Sequence, residues 1–243
     1  MKKSISILIP AFNEEENIAA AVASVTGAIR DIVDDYELII INDGSRDRTG
    51  EIAERLQEKD SRLKVIHNPE NRGFGYSYRV GIAIASKDYL GGFPGDNDMS
   101  PLVLRQLITE VGREDAITSY MTSMGNRTLI RRVLSRSFVF LLNHLFGLRL
   151  KYYNGAFLCR LELMRSIPLR SNGLTILAEA LVKMLKRGCS CREICFEHTG
   201  RKQGKSSALT FRSLKETAKF LYFLVHDIYL EPQISVVPVA NIK

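Results

Sequence analysis

The chain is poor in cysteine and in long apolar runs, and one stretch of it has no acidic residues at all. Four Cys among 243 residues are too few for the disulfide framework of a small secreted scaffold. No basic-apolar-small leader opens the sequence, so a reducing, cytoplasmic setting is expected. Uninterrupted apolar runs such as Phe138–Leu142 and Phe220–Val225 fall far short of the roughly 18–20 residues of a membrane span. With 7 Pro, 17 Gly, 45% hydrophobic and 25% charged residues, the composition excludes collagen-like, coiled-coil and disordered chains. What remains is an ordinary globular protein long enough to bury a sizeable core.

The acid-free stretch lies between Asp115 and Glu162, and it holds Arg127, Arg131, Arg132, Arg136, Arg149, Lys151 and Arg160. Residues 1–115 carry 20 acids against 14 bases, whereas 116–243 carry 7 against 20. A cationic second half suits an anionic ligand, a phosphate or an anionic membrane surface. A solvated basic face is the other reading of the same charges.

Short β-branched runs at Ser4–Pro10, Tyr36–Asn42 and Leu63–His67 alternate with helical patterns at Glu14–Arg30 and Asp47–Glu58. A helix over Gly75–Ser86, a strand near Asp88–Phe93 and a helix from Pro101 to about Arg113 continue the alternation. Near-continuous apolar strands at this spacing predict an α/β fold, a mostly parallel sheet wrapped by helices and buried on both faces. Ligands of such sheets bind outside the carboxyl ends of the strands.

Four segments stand at or beyond those ends. Pro10-Ala11-Phe12-Asn13-Glu14-Glu15-Glu16-Asn17 leaves the first strand and puts acids in the first turn of a helix, where the helix dipole favours them. In Asn42-Asp43-Gly44-Ser45-Arg46-Asp47, Asp47 is placed to cap the next helix, while Asp43 is left to accept hydrogen bonds from a base or ribose. Asn71-Arg72-Gly73-Phe74-Gly75 is a glycine turn with close backbone approach. It is no dinucleotide fingerprint, because Tyr78 stands where a third glycine belongs. Gly95-Asp96-Asn97-Asp98-Met99-Ser100-Pro101 carries two carboxylates at i and i+2, which an extended backbone points to one side. Hard oxygen pairs of this kind hold Mg²⁺ or Mn²⁺ and leave positions open for phosphate oxygens; a polar turn before a Ser-Pro helix start is the bland alternative.

Together these segments resemble the GT-A fold glycosyltransferases of family 2, more narrowly the dolichol-phosphate mannose synthase-like branch. The resemblance runs from Ile5 to about Leu209, on Ile9-Pro10-Ala11-Phe12-Asn13-Glu14-Glu15, Asn42-Asp43-Gly44-Ser45-Arg46-Asp47-Arg48-Thr49 and Asp96-Asn97-Asp98. It implies that Pro10, Ala11, Asn13, Glu14 and Asp43 hold the nucleotide, and that Asp96 and Asp98 bind a divalent metal, Mg²⁺ or Mn²⁺, and the diphosphate, with Asp98 counted as catalytic. One domain over 1–243 is expected, with a nucleotide-sugar and metal half (1–115), an acceptor half (116–210) and a C-terminal helix and tail (211–243). Three departures stand out: Asn42 replaces the first acid of an Asp-Asp pair, Ser100 stands where many relatives carry a metal-ligating Gln, and Lys151 occupies an expected acid's place.

The second half governs the acceptor. Residues 128–148 read as an amphipathic helix that clusters Arg131, Arg132, Ser135 and Arg136, either resting on a membrane and presenting guanidinium groups to a lipid phosphate or packed on the core with solvated arginines. The resemblance pairs Arg131 with Ser135 on the acceptor phosphate. On the helix Thr175–Arg187, Glu179 sits in an apolar setting and needs a partner or a task; the resemblance places it near the reaction centre, as acceptor-orienting group or base. Gly204-Lys205-Ser206 is no phosphate-binding P-loop, because position 199 is Thr; the likeness instead makes Arg201 and Lys205 part of a loop that offsets diphosphate charge. Cys189, Cys191 and Cys195 are read as buried free thiols, and His67 and His144 receive no role.

These expectations combine as an inverting, metal-dependent transfer of a hexosyl group from a nucleoside-diphosphate sugar, of the GDP-mannose or UDP-glucose type, to a polyprenyl phosphate. The enzyme would be peripheral on the cytoplasmic membrane face, with no nucleic acid partner. A soluble family 2 transferase using a glycan or small-molecule hydroxyl is the alternative, and a non-catalytic nucleotide-binding module is a further one.

Overall fold

The computed structural model describes residues 3–122, 128–196 and 211–230, and gives the backbone alone for Arg131 and residues 211–215. β1 (Ser4–Ala11), α1 (Ile18–Ile29), β2 (Asp35–Asp43), α2 (Thr49–Lys59), β3 (Leu63–Asn68), α3 (Phe74–Ile84), β4 (Tyr89–Gly92) and α4 (Pro101–Thr109) alternate as expected. They are followed by β5 (Ala116–Met121), α5 (Leu129–Phe146), β6 (Phe157–Arg160), α6 (Leu161–Ser166), α7 (Thr175–Lys186), β7 (Cys191–Phe196) and α8 (Phe211–Val225), which ends in a π-helical turn, His226–Leu230.

The strands form one sheet in the order β3-β2-β1-β4-β6-β5-β7. Pairings β1 with β2 and β4, β2 with β3, and β5 with β7 are parallel; β6 runs antiparallel between β4 and β5. The strict alternation of strand side chains divides the core in two. Ile5, Ile7 and Ile9 of β1 face one layer with Val22 and Val25 of α1 and Leu104 and Leu107 of α4. Leu8 of β1 faces the other layer, with Ile39, Ile41, Tyr78 of α3, Leu142 and Phe146 of α5, and much of α7.

Polar residues inside the sheet are paired at the end away from the ligand side. Glu37 of β2, 3% exposed, accepts hydrogen bonds from Ser6 Oγ at 2.6 Å and Ser86 N at 2.6 Å, and pairs with Lys64 Nζ at 2.6 Å. Burial pushes this carboxyl up, but the bonds from Lys64, Ser6 and Ser86 outweigh it and leave it below the usual range.

Two local expectations change. The first helix starts at Ile18 rather than Glu14, and no acid lies in its first turn; the residues before it form a turn, in which the N–H groups of Glu14 and Glu15 donate to Thr49 Oγ1 (2.7 Å) and Asp47 Oδ2 (3.1 Å). The three cysteines do not share one buried face. Cys191 is buried, Cys189 lies ahead of β7 and is half-buried, and Cys195 is exposed near the end of that edge strand.

Candidate active site

The carboxyl ends of β1, β2 and β3 open into a recess of about 440 Å³ lined by Phe12, Asn42, Ser45, Arg46, His67 and Asn68, among others. On the other side of the β1 end lies a cavity of about 330 Å³, whose walls include Pro10, Asp96, Asp98, Ser100, Tyr152 and Asn154. The end of β1 is the partition: Pro10 lines the cavity and Phe12 the recess. Both volumes fall in the range of small-molecule sites.

Two loops zipper together beneath the recess. Asn13 takes a left-handed backbone (φ 55°), tolerated best by Asn and Gly. Its N–H donates to Ser45 Oγ at 3.0 Å, and its Oδ1 accepts from Arg46 N at 2.8 Å. Asp47 accepts from Thr49 N, Thr49 Oγ1 and Glu15 N. Burial pushes the Asp47 carboxyl up, and these bonds more than reverse it, holding it below the usual range. Glu14 accepts from Asn17 Nδ2 at 2.8 Å.

Asp43 is 4% exposed, and its carboxylate accepts from Asn68 Nδ2 (2.7 Å), Arg72 N (3.2 Å) and Gly73 N (2.8 Å). It therefore ties β2 to β3 and to the turn before α3. The glycine turn approaches backbone closely, as expected, but the backbone is the protein's own. Gly75 N donates to Asn172 O at 2.7 Å, and a Cβ at Gly75 would lie 2.3 Å from Ser171 O.

The paired aspartates differ in local form from the expected extended segment. Gly95 and Asp96 form a turn, Asn97 has φ 54°, and Asp98 N donates to Asp96 Oδ1 at 3.0 Å. A left-handed residue between them and this side-chain turn, rather than strand alternation, bring both to one cavity. Gly95 N donates to Pro10 O at 3.2 Å, and a Cβ at Gly95 would meet that oxygen at 2.7 Å, so glycine lets this loop lie flat on the end of β1. Hard oxygens fit Mg²⁺ or Mn²⁺. Among the described residues no group of three or more His, Cys, Asp or Glu gathers for a metal, so two carboxylates would share an ion with substrate oxygens and water, as is usual for Mg²⁺.

The rest of the cavity is apolar in a way the motifs did not reveal: Phe74, Tyr78, Met121, Leu174, Leu177 and Phe196 line it. They come from α3, β5, α7, β7 and the loop before α7, and no local spacing connects them. Lys151, in the place of the expected acid, lies against the Tyr120 ring at 4.2 Å with Nζ 3.0 Å from its hydroxyl. Its backbone N–H donates to Glu193 Oε1 at 2.7 Å, and burial pushes the Glu193 carboxyl up.

Glu179 is absent from the lining of this cavity and faces a small separate recess with Arg170 and Ser171. At 2% exposure it accepts from Arg170 N (3.0 Å), Ser171 N (2.9 Å) and Lys183 Nζ (2.7 Å). Lys183, fully buried, also donates to Asp227 Oδ2 (2.8 Å) and Pro168 O (2.6 Å). Its partners make Glu179 an anchor for the 168–174 loop. Arg131 and Ser135 lie on α5, and Ser135 is half-buried and lines neither the cavity nor the recess. Arg201 and Lys205 lie outside the described residues. The outer face of α5 exposes Leu129, Ile130, Val133 and Phe140 at 75, 65, 55 and 71%.

Residues 6–167 match the family described as glycosyl transferase family 2. The chain is 36% identical over 106 residues to the uncharacterized glycosyltransferase EpsJ of Bacillus subtilis, covering 44% of this chain and 30% of that protein. It is 28% identical over 188 residues to the dolichol-phosphate mannosyltransferase of Pyrococcus furiosus, covering 74% of this chain and 52% of that one. The chain thus spans between about a third and a half of these curated relatives. Among solved structures, the glucosyl-3-phosphoglycerate synthase of Mycobacterium tuberculosis, crystallised with Mn²⁺, UDP-glucose and phosphoglyceric acid, superposes with a TM-score of 0.71 at 21% identity, covering 99% of this chain and 88% of that chain. The fold is that of the GT-A glycosyltransferases.

Proposed function

From the premise that the chain belongs to glycosyl transferase family 2, we propose that it is an inverting, metal-dependent hexosyltransferase acting from a nucleoside-diphosphate sugar onto a polyprenyl phosphate at a membrane surface. The observation that carries this reading is the partition. A polar recess sized for a nucleoside and an apolar cavity holding Asp96 and Asp98 flank the same few residues of β1. A donor laid across it has its base beside Phe12, its diphosphate near the two aspartates and its sugar in the cavity. A divalent cation bound by Asp96 and Asp98 would supply charge neutralisation for the departing diphosphate.

The acceptor class rests on what lines that cavity. Its acids among the described residues are Asp96 and Asp98, both assigned to the donor, and Glu179 is held by three donors elsewhere. A hydroxyl nucleophile needs a base in contact with its proton. A phosphate oxygen is already largely anionic near neutral pH, its second pKa being about 6, and needs only positioning. The exposed apolar face of α5, with Arg132 and Arg136 on the same helix, supports delivery from a lipid surface.

The test is transfer of labelled hexose from a panel of nucleoside-diphosphate sugars to polyprenyl phosphate in vesicles, with Mn²⁺. Asp98→Asn is expected to lower transfer on the order of 100-fold or more. Full activity in that variant, or turnover with a soluble hydroxyl acceptor and none with lipid, would refute the proposal.

A further inference from the structure

The register of β2 and β3 sets Asn42 directly beside His67, and Asp43 beside Asn68. Ser45 N–H faces the Asn42 side chain at 3.2 Å, and a backbone N–H only donates, so the atom facing it is Oδ1. The other amide atom, Nδ2, lies 3.0 Å from His67 Nδ1. An amide nitrogen also only donates, so His67 Nδ1 must accept and its proton sits on Nε2. That nitrogen faces Glu54 Oε1 of α2 at 3.2 Å, an acceptor. Gly50, in the first turn of α2, lets the helix lie on the pair, since a Cβ there would stand 2.9 Å from Asn42 Nδ2 and 3.3 Å from His67 Cε1. A chain of hydrogen bonds thus runs from Glu54 through a neutral imidazole and the Asn42 amide to Ser45. Ser45 Oγ in turn accepts from Asn13 N beneath the recess.

We infer that His67 is a positioning residue for the donor nucleoside, setting the Asn42 amide and the Ser45 turn in the form that receives it, and that the missing acid at position 42 is matched to an unprotonated Nδ1. The inference rests on the recess being the nucleoside site. Of the charged groups around His67, Glu54 faces Nε2, while Arg46 and Glu70 share the recess wall. Protonating Nδ1 sets an N–H against the Asn42 N–H₂, so the receptive form is lost as pH falls. With Asp at position 42 the requirement reverses. A carboxylate there needs a proton on Nδ1; the imidazolium supplies it while still donating from Nε2 to Glu54, whereas the neutral ring must give up one of the two acceptors, so the receptive form weakens as pH rises.

The experiment measures dissociation constants of UDP, GDP, dTDP and CDP with Mn²⁺ between pH 5.5 and 8 for the wild type, Asn42→Asp and His67→Phe. The titration of the diphosphate itself is common to all three proteins, so the readout is the ratio of variant to wild-type constant for the nucleotide that the wild type prefers. For Asn42→Asp this ratio is expected to fall about tenfold from pH 8 to pH 5.5, the scale of one mismatched hydrogen bond that is partly shielded from solvent. For His67→Phe it is expected to be large at pH 8 and to approach one at pH 5.5. Ratios that stay flat with pH would overturn the inference while leaving the nucleotide site standing. Binding of none of the four nucleotides by the wild type would overturn the nucleoside reading and this inference with it. Where Asn42→Asp fails to fold, the His67→Phe ratio decides.

Discussion

Replacing Lys183 by Met removes the positive centre of a buried cluster while keeping the length of the side chain. Lys183 donates to Glu179 Oε1, Asp227 Oδ2 and Pro168 O at 2.7, 2.8 and 2.6 Å, and none of its surface is exposed. The thioether fills the space but donates nothing, leaving two carboxylates buried near one another. Breaking one side of a buried ion pair costs roughly 3–5 kcal/mol. The lower end applies, because Glu179 keeps the N–H groups of Arg170 and Ser171, and Asp227 keeps the Arg170 guanidinium at 3.2 Å. A loss of about 3 kcal/mol in a chain of this size lowers the melting temperature by about 6–12 °C. Urea denaturation followed by circular dichroism measures it, with an unchanged denaturant slope showing that the native state remains compact. The double variant Glu179→Gln/Lys183→Met removes one stranded charge and should recover at least about 1 kcal/mol. A single-variant loss below about 1 kcal/mol, or a double variant no better than the single, refutes the assignment of Glu179 as a structural anchor.

Two further outcomes follow from burial and charge. Because the Glu37 carboxyl is held below its usual range in the folded protein, it stabilises the fold above the unfolded value of about 4.3, and that contribution disappears as pH falls through the folded value. Glu37→Gln should therefore be about 2 kcal/mol less stable at pH 7 and approach the wild type in acid-denaturation curves as pH falls through the depressed folded value; a gap that does not narrow with falling pH would contradict the argument. Burial pushes the Cys191 thiol up to about 12 and Cys159 well above its ordinary value, whereas Cys195 is exposed. Thiol titration of the native protein should find Cys195 reacting first, with Cys159 and Cys191 reacting only on unfolding, and mass spectrometry of the modified peptides would reveal the opposite order.

The first half of the fold was legible in the sequence because its strands are local apolar runs that helices separate at short range. β1, β2 and β3 each lie within a residue or two of the β-branched runs that marked them. β6 was harder: four residues, Phe157–Arg160, carry too little pattern to announce a strand, and nothing local reveals that it runs antiparallel. At the site, Asp96 and Asp98 were recognisable as a pair, yet the turn that converges them depends on Asn97 adopting positive φ. Glu179 was rightly suspect as a buried acid. One partner, Lys183, stands one helical turn away, but Asp227 is contributed by the π-helical turn after α8, and the 168–174 loop is fixed by contacts to Gly73 and Gly75. His67 drew no attention because its meaning lies in strand register, which places it against Asn42 across two strands that the sequence separates by a helix.

The antiparallel strand in the middle of the sheet has a consequence for how the molecule is made. β1 to β4 can assemble as soon as their own segment has left the ribosome, but the free edge of β4 waits for Leu158–Arg160 to pair with Tyr89–Gly91. Until some seventy further residues have been synthesised, that edge is an open row of backbone donors and acceptors beside the nascent second half of the chain, the kind of surface that invites mispairing. Pairing of β6 with β4 and β5 closes that edge, and the same step brings Phe157 into the wall of the cavity that holds Asp96 and Asp98.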